Sequence, residues 1–161
     1  MRILFVCTGN LCRSPMAEHL MKRGIAARLK LPVESLAAKG WAIESAGTNA
    51  YDGMDMPADA RIALAELGIT GAQHSSRILR VAHLMSTDVA FAAAHEHFQA
   101  MLRIHPESAG KIRLLDPSGD VPDPMGEGID AYRYAAAQIA VRVESLVKEL
   151  IPPPGKAPAK R

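Results

Sequence analysis

The stretch Cys7-Thr8-Gly9-Asn10-Leu11-Cys12-Arg13-Ser14-Pro15 puts two thiols and a guanidinium into one short turn. A glycine-bearing loop that enters a helix turns successive backbone N–H groups toward one point, and such a concavity binds an anion. Arg13 adds a planar fork suited to two oxygens of a phosphate. Residues Thr8, Gly9, Asn10, Leu11, Cys12, Arg13 and Ser14 thus form a candidate oxyanion cradle, with the Cys7 sulfur as a nucleophile at its floor. The amide nest, the helix dipole and Arg13 all favour the thiolate. A cysteine that merely packs as a small hydrophobe explains neither Arg13 nor the helix entry at Ser14-Pro15.

The elements on either side must position this turn. Ile3 to Val6 is a continuous apolar run, the pattern of a strand covered on both faces. Ser14-Pro15 reads as N-cap and first helical position, with Met16, Leu20 and Ile25 keeping one face to about Leu29. Further strands are expected at Trp41 to Gly47, Asp88 to Ala92 and Ile112 to Leu115. Helices are expected at Pro57 to Leu67, with Ile62, Leu64 and Leu67 inward, at His95 to Leu102, and at Asp130 to Leu150. Strands alternating with helices imply an α/β domain, a parallel sheet with helices on both faces. In such sheets ligands bind beyond the carboxyl ends of the strands, where residues 7 to 13 lie.

The 161 residues suffice for one core, and 48% hydrophobic with 22% charged residues is a globular rather than a disordered composition. A net charge of +2 gives no reason to expect nucleic acid or membrane as partner. No segment approaches the roughly 18 apolar residues of a membrane span, and the four-residue run before Cys7 is too short for a secretory signal. With two cysteines in such a chain, a reducing, cytoplasmic location is expected. Residues 1–151 are expected to form one domain, and 152–161 a Pro- and Lys-rich disordered tail.

Val6-Cys7-Thr8-Gly9-Asn10-Leu11-Cys12-Arg13-Ser14-Pro15-Met16-Ala17-Glu18 resembles the phosphate loop of the low-molecular-weight protein tyrosine phosphatases. The likeness continues at Ser45-Ala46-Gly47-Thr48, at His74-Ser75-Ser76-Arg77 and at Asp123-Pro124, and spans roughly residues 2 to 150. It implies a doubly wound, four-stranded parallel sheet, no metal and no cofactor, and a monomer acting on phosphorylated proteins or small phosphomonoesters with release of inorganic phosphate. It also implies that Asn10, Ser14, Ser45 and His74 brace the loop, that Ser14 stabilises the Cys7 sulfur, and that Cys12 traps oxidised Cys7 as a disulfide.

Cleavage of a phosphate monoester needs a proton for the leaving oxygen. Two Asp-Pro pairs offer one, Asp116-Pro117 and Asp123-Pro124, and either can be simple turn chemistry. The family's acid precedes a short glycine-containing loop and the final helix, which matches Asp123 before Met125-Gly126-Glu127-Gly128. Catalytic roles therefore fall to Cys7, Arg13 and Asp123.

Leu11, Tyr51 and Met125 are the expected pocket walls. Met125 and Gly126 stand where tyrosine-directed members carry aromatics. Related protein-arginine phosphatases carry threonine where this chain has Leu11. Phosphotyrosine is the expected substrate and phosphoarginine the alternative. His95-Glu96-His97 lacks metal-ligand spacing and is read as a solvated helix face. An arsenate reductase would need further cysteines, and a non-catalytic phosphate-binding module would not need both Cys7 and Asp123.

Overall fold

Ile3, Leu4, Phe5 and Val6 are all buried, yet successive strand residues point to opposite sides of a sheet. Ile3 and Phe5 enter one apolar cluster and Leu4 and Val6 a second. A strand covered in this way belongs inside its sheet. The computed structural model, which describes residues 1–152, places it there. Strand β1 (Arg2–Cys7) pairs in parallel with β2 (Ala42–Gly47) on one side and β3 (Val89–Ala92) on the other, and β4 (Ile112–Leu114) continues beyond β3. The order β2-β1-β3-β4 reverses direction at β1, so its carboxyl end opens on the switch-point crevice.

The two clusters lie under two helical layers. Helices α1 (Arg13–Leu29) and α2 (Ala58–Glu66) share the Ile3/Phe5 cluster with the last helix, through Met16, Leu20, Leu64, Ile139 and Val143. Leu84 of α3 (Val81–Ser86) and Met101 of α4 (His95–Ile104) cover the Leu4/Val6 face. The last helix, α5 (Ile129–Leu150), approaches α1 closely at Gly24, where a Cβ would come within 2.9 Å of Val147. Truncating a core side chain such as Phe5 to alanine should cost about 3–5 kcal/mol.

Several details differ from the sequence reading. Helix α1 begins at Arg13, one residue before the expected cap, because the Cys12 carbonyl already accepts the Met16 amide at 3.0 Å. Ser14 is thus a first-turn residue whose hydroxyl is used elsewhere. Pro15 falls in the same turn, where its missing N–H costs nothing. On α2 the inward face is Ala60, Ala63 and Leu64, and Ile62 is exposed, so small residues let that helix lie close. Helix α3 was not expected, because six residues are too few to establish a period. Of the expected tail, residues 153–161 lie outside the described residues.

Candidate active site

The loop from Cys7 to Ser14 is shaped by hydrogen bonds to distant parts of the chain. Asn10 adopts a left-handed conformation, φ 54°, which asparagine tolerates better than most residues. Its side chain donates to Ser14 Oγ and Ser45 Oγ, both at 2.9 Å, and accepts the Arg77 amide at 2.9 Å. His74 Nε2 donates to the Asn10 carbonyl at 2.6 Å. The Cys7 and Thr8 carbonyls accept the amides of Thr48 and Asn49, both at 2.9 Å. Carbonyls drawn outward in this way are the counterpart of amides turned inward. Gly47 permits the approach: a Cβ there would lie 2.4 Å from the Thr8 carbonyl oxygen and 2.8 Å from the Asn10 nitrogen.

Cys7 is buried, with Sγ 2.9 Å from Ser14 Oγ. Because the Asn10 amide already donates to that hydroxyl, the Ser14 proton is available to the sulfur, its other acceptor being the more distant Ala46 carbonyl at 3.5 Å. Ser45 in turn donates to Glu18 at 2.6 Å, which closes a polar chain beneath the loop.

Arg13 is buried as well. It donates to the Val121 carbonyl at 3.1 Å and pairs with Asp123 at 3.1 Å, while its buried Nε has no acceptor among the described residues. A cavity of about 190 Å³ is lined by Cys7, Thr8, Gly9, Leu11, Cys12, Arg13, Asp123 and Met125. The candidate nucleophile, the cation and the candidate acid therefore share one opening. A larger groove of about 490 Å³ between α1 and α5, lined by residues such as Leu20, Gly24, Ala140 and Val143, contains no cysteine, serine or histidine among the described residues.

The two aspartates and the two thiols have contrasting surroundings. Burial alone would push the Asp116 carboxyl up, but donors from Ser118, Gln138 and Arg142 outweigh it and hold the group well below the usual carboxylate range. Asp116 is a fixed anion of the fold. Asp123 is half exposed and accepts the Met125 amide at 3.2 Å. Burial pushes the Cys12 thiol up to about 11, only partly offset by its 3.4 Å contact with the Tyr132 hydroxyl. Burial and that same contact raise Tyr132. Cys12 is thus a protonated thiol at neutral pH.

The structure brings most of the expected residues together, with three differences. Asn10 and Ser14 lie under the loop rather than in the cavity lining. Tyr51 is 79% exposed and lines no part of the cavity, because Ser76 holds its carbonyl and Asp52 ties the turn outward to Ile78 and Arg80. His97 is not on a solvated face: it is 1% exposed, with Nε2 2.8 Å from Thr8 Oγ1. His95 is exposed and pairs with Asp120. Residues two apart on a helix do not share a face, which fits one histidine outward and the other inward. Glu18 and Arg77 were present in the motifs without an assigned role. Glu18 stands one turn beyond Ser14 on the same side of α1.

Comparison with known proteins agrees with this geometry. The family described as low molecular weight phosphotyrosine protein phosphatase matches residues 2–152. A protein-arginine-phosphatase of Geobacillus stearothermophilus is 32% identical, over 92% of this chain and 95% of its own. The low molecular weight protein-tyrosine-phosphatase Etp of Escherichia coli K12 is 30% identical, over 92% and 93% respectively. The crystal structure of a YwlE mutant from Bacillus subtilis superposes with a TM-score of 0.81 at 34% identity, covering 93% of this chain and 98% of that one. The chain belongs to the low-molecular-weight phosphotyrosine protein phosphatase family.

Proposed function

We propose that the protein hydrolyses phosphotyrosine, in proteins or as small aryl monoesters, by double displacement through a phosphocysteine. Cys7 Sγ attacks phosphorus, the bond to the leaving oxygen breaks, and Asp123 gives that oxygen its proton. Arg13 and the loop amides hold the equatorial oxygens, where the charge of the transition state resides. Asp123, now a carboxylate, takes a proton from the water that attacks the phosphocysteine. Inorganic phosphate leaves and the Cys7 thiolate is restored. The scheme uses no metal and no cofactor.

The observation that carries this reading is the convergence of Cys7, Arg13 and Asp123 on one cavity, with Ser14 against the sulfur. Leu11 and Met125 give that cavity apolar walls, against which an aryl ring can pack. We place the enzyme in the cytoplasm as a monomer, with residues 1–151 as the phosphatase unit. The two cysteines are free, which suits a reducing compartment. Among the described residues no helix is long and apolar enough to cross a membrane.

A second reading, hydrolysis of phosphoarginine, is favoured by a cavity lining with no aromatic side chain among the described residues and by relatives named for that activity. Matched kcat/KM measurements on phosphotyrosine and phosphoarginine peptides decide between the two. Faster turnover of phosphoarginine replaces the first reading with the second, and no turnover of either ends both.

A further inference from the structure

The His95-Glu96-His97 stretch has no part in the scheme above, yet one of its histidines reaches the phosphate loop. Thr8 lines the cavity, and its hydroxyl oxygen meets two nitrogens: His97 Nε2 at 2.8 Å and Arg13 Nη2 at 3.4 Å. A guanidinium can only donate, so Thr8 accepts from Arg13. The direction of the histidine bond follows from the surroundings of the ring. Nε2 also lies 3.3 Å from the Glu96 carboxylate, an acceptor only. Nδ1 is buried with no partner among the described residues. A buried N–H without an acceptor is rare and costly, whereas a bare ring nitrogen is tolerated more readily. Burial, then the charge of Arg13, hold His97 below the usual imidazole range, which keeps Nδ1 bare. The proton is therefore on Nε2, and His97 donates to Thr8.

We infer that the Thr8 hydroxyl is an obligate hydrogen-bond donor to the phosphoryl group bound in the loop, and that His97 is the positioning residue that makes it one. A hydroxyl oxygen has two lone pairs and one proton. With both lone pairs occupied by Arg13 and His97, the proton is directed into the cavity. There it meets an equatorial oxygen alongside the loop amides and Arg13. Full protonation of His97 adds a proton at Nδ1 and leaves the Nε2–H in place, so the device persists in acid. The inference rests on the phosphatase reading and adds to it a side-chain donor from the second residue of the loop.

The test uses inorganic phosphate as a competitive inhibitor of the full-length enzyme, with thermal melting as the folding control. Thr8→Val keeps the shape and removes the hydroxyl. It should weaken phosphate binding about tenfold, the scale of one hydrogen bond to a charged group, whereas Thr8→Ser should retain binding. His97→Leu should weaken it by a smaller factor, and His97→Gln, whose amide N–H reaches a similar point, should restore it. On the Thr8→Val background, His97→Leu should cost nothing further. Unchanged phosphate binding by a folded Thr8→Val enzyme overturns the donor assignment while leaving the phosphatase reading intact. An equal cost of His97→Leu with and without the hydroxyl overturns the role of His97. A wild-type protein that binds no phosphate overturns the phosphatase reading itself.

Discussion

Two loops meet at the cavity, and they are built differently. The loop at the end of β1 is buried at Cys7, Asn10, Cys12, Arg13 and Ser14, and Asn10 alone ties it to Ser14, Ser45, His74 and Arg77. The segment between β4 and α5 begins in the same style, with Asp116 buried under donors from Ser118, Gln138 and Arg142. Seven residues later the second Asp-Pro corner carries a half-exposed Asp123, held by Arg13 and the Met125 amide. Donors that stabilise a transition state act best when already fixed in place. A group that first gives a proton and then activates water needs access to solvent. In the proposed scheme the contrast suits the first loop to charge stabilisation and the second to proton traffic.

The largest expected effect lies in the rigid loop. Cys7→Ser should lower aryl phosphate turnover by about 10⁴-fold or more, while calorimetry still detects phosphate binding through the loop and Arg13. Turnover within tenfold of wild type would falsify the phosphocysteine scheme. In the second loop, Asp123→Ala should slow phenyl phosphate by about 10²–10⁴-fold and p-nitrophenyl phosphate much less, since a good leaving group needs little proton assistance. Asp116→Asn should show no such dependence, and a reversed pattern would exchange the two aspartates.

A smaller effect concerns substrate choice. Leu11→Thr removes an apolar wall and adds a hydroxyl. It should shift the ratio of kcat/KM for phosphotyrosine over phosphoarginine by about 10–200-fold toward phosphoarginine. A wild type that already prefers phosphoarginine would move the determinant to the Met125 side, where Met125→Tyr becomes the informative change.

For Asp116 the expected effect is on stability. Asp116→Asn should cost about 1–3 kcal/mol at pH 7 in urea unfolding, because donors aimed at a carboxylate lose their partner. The Asp116 carboxyl is depressed in the folded state, so its contribution is fully present above its unfolded value, roughly pH 4, and fades as pH falls toward the folded value. The gap between wild type and Asp116→Asn should therefore narrow in acid. A gap that widens there would contradict the buried anion.

The last effect appears only after oxidation. Peroxide should convert the Cys7 thiolate to a sulfenic acid, and the Cys12 thiol should condense with it, releasing water and forming a disulfide that dithiothreitol reduces. Recovery should be near complete in wild type and poor in Cys12→Ser. Equal recovery in both leaves Cys12 as filler against Tyr132.

What was legible in the sequence was what is contiguous in it. Ile3 to Val6, the turn and α1 follow one another, so strand, loop and helix could be read as a unit with Cys7 and Arg13 inside it. The choice of Asp123 over Asp116 came from the family likeness rather than from periodicity, since burial and donors distinguish them only in three dimensions. His97 escaped because His95 and Glu96 before it resemble a wet surface, while its inward direction depends on how α4 lies on the sheet. The outward turn of Tyr51 depends on Asp52 meeting Ile78 and Arg80, partners more than twenty residues away. The start of α1 shifted by two residues, from Pro15 to Arg13, because Cys12 caps it through its carbonyl, a signal with no side-chain signature.

The bracing of Asn10 has a consequence for the order in which the molecule comes together. A chain that has emerged only as far as residue 40 carries the whole motif from Cys7 to Ser14 but none of Ser45, His74 or Arg77, the groups that bend Asn10 into its left-handed turn. Nor does β1 then have a neighbour, since both β2 and β3 come later. Contacts of such long sequence separation form late and slowly. The proposed nucleophile is thus encoded first, while the loop that positions it is completed among the last, once most of the domain has been made.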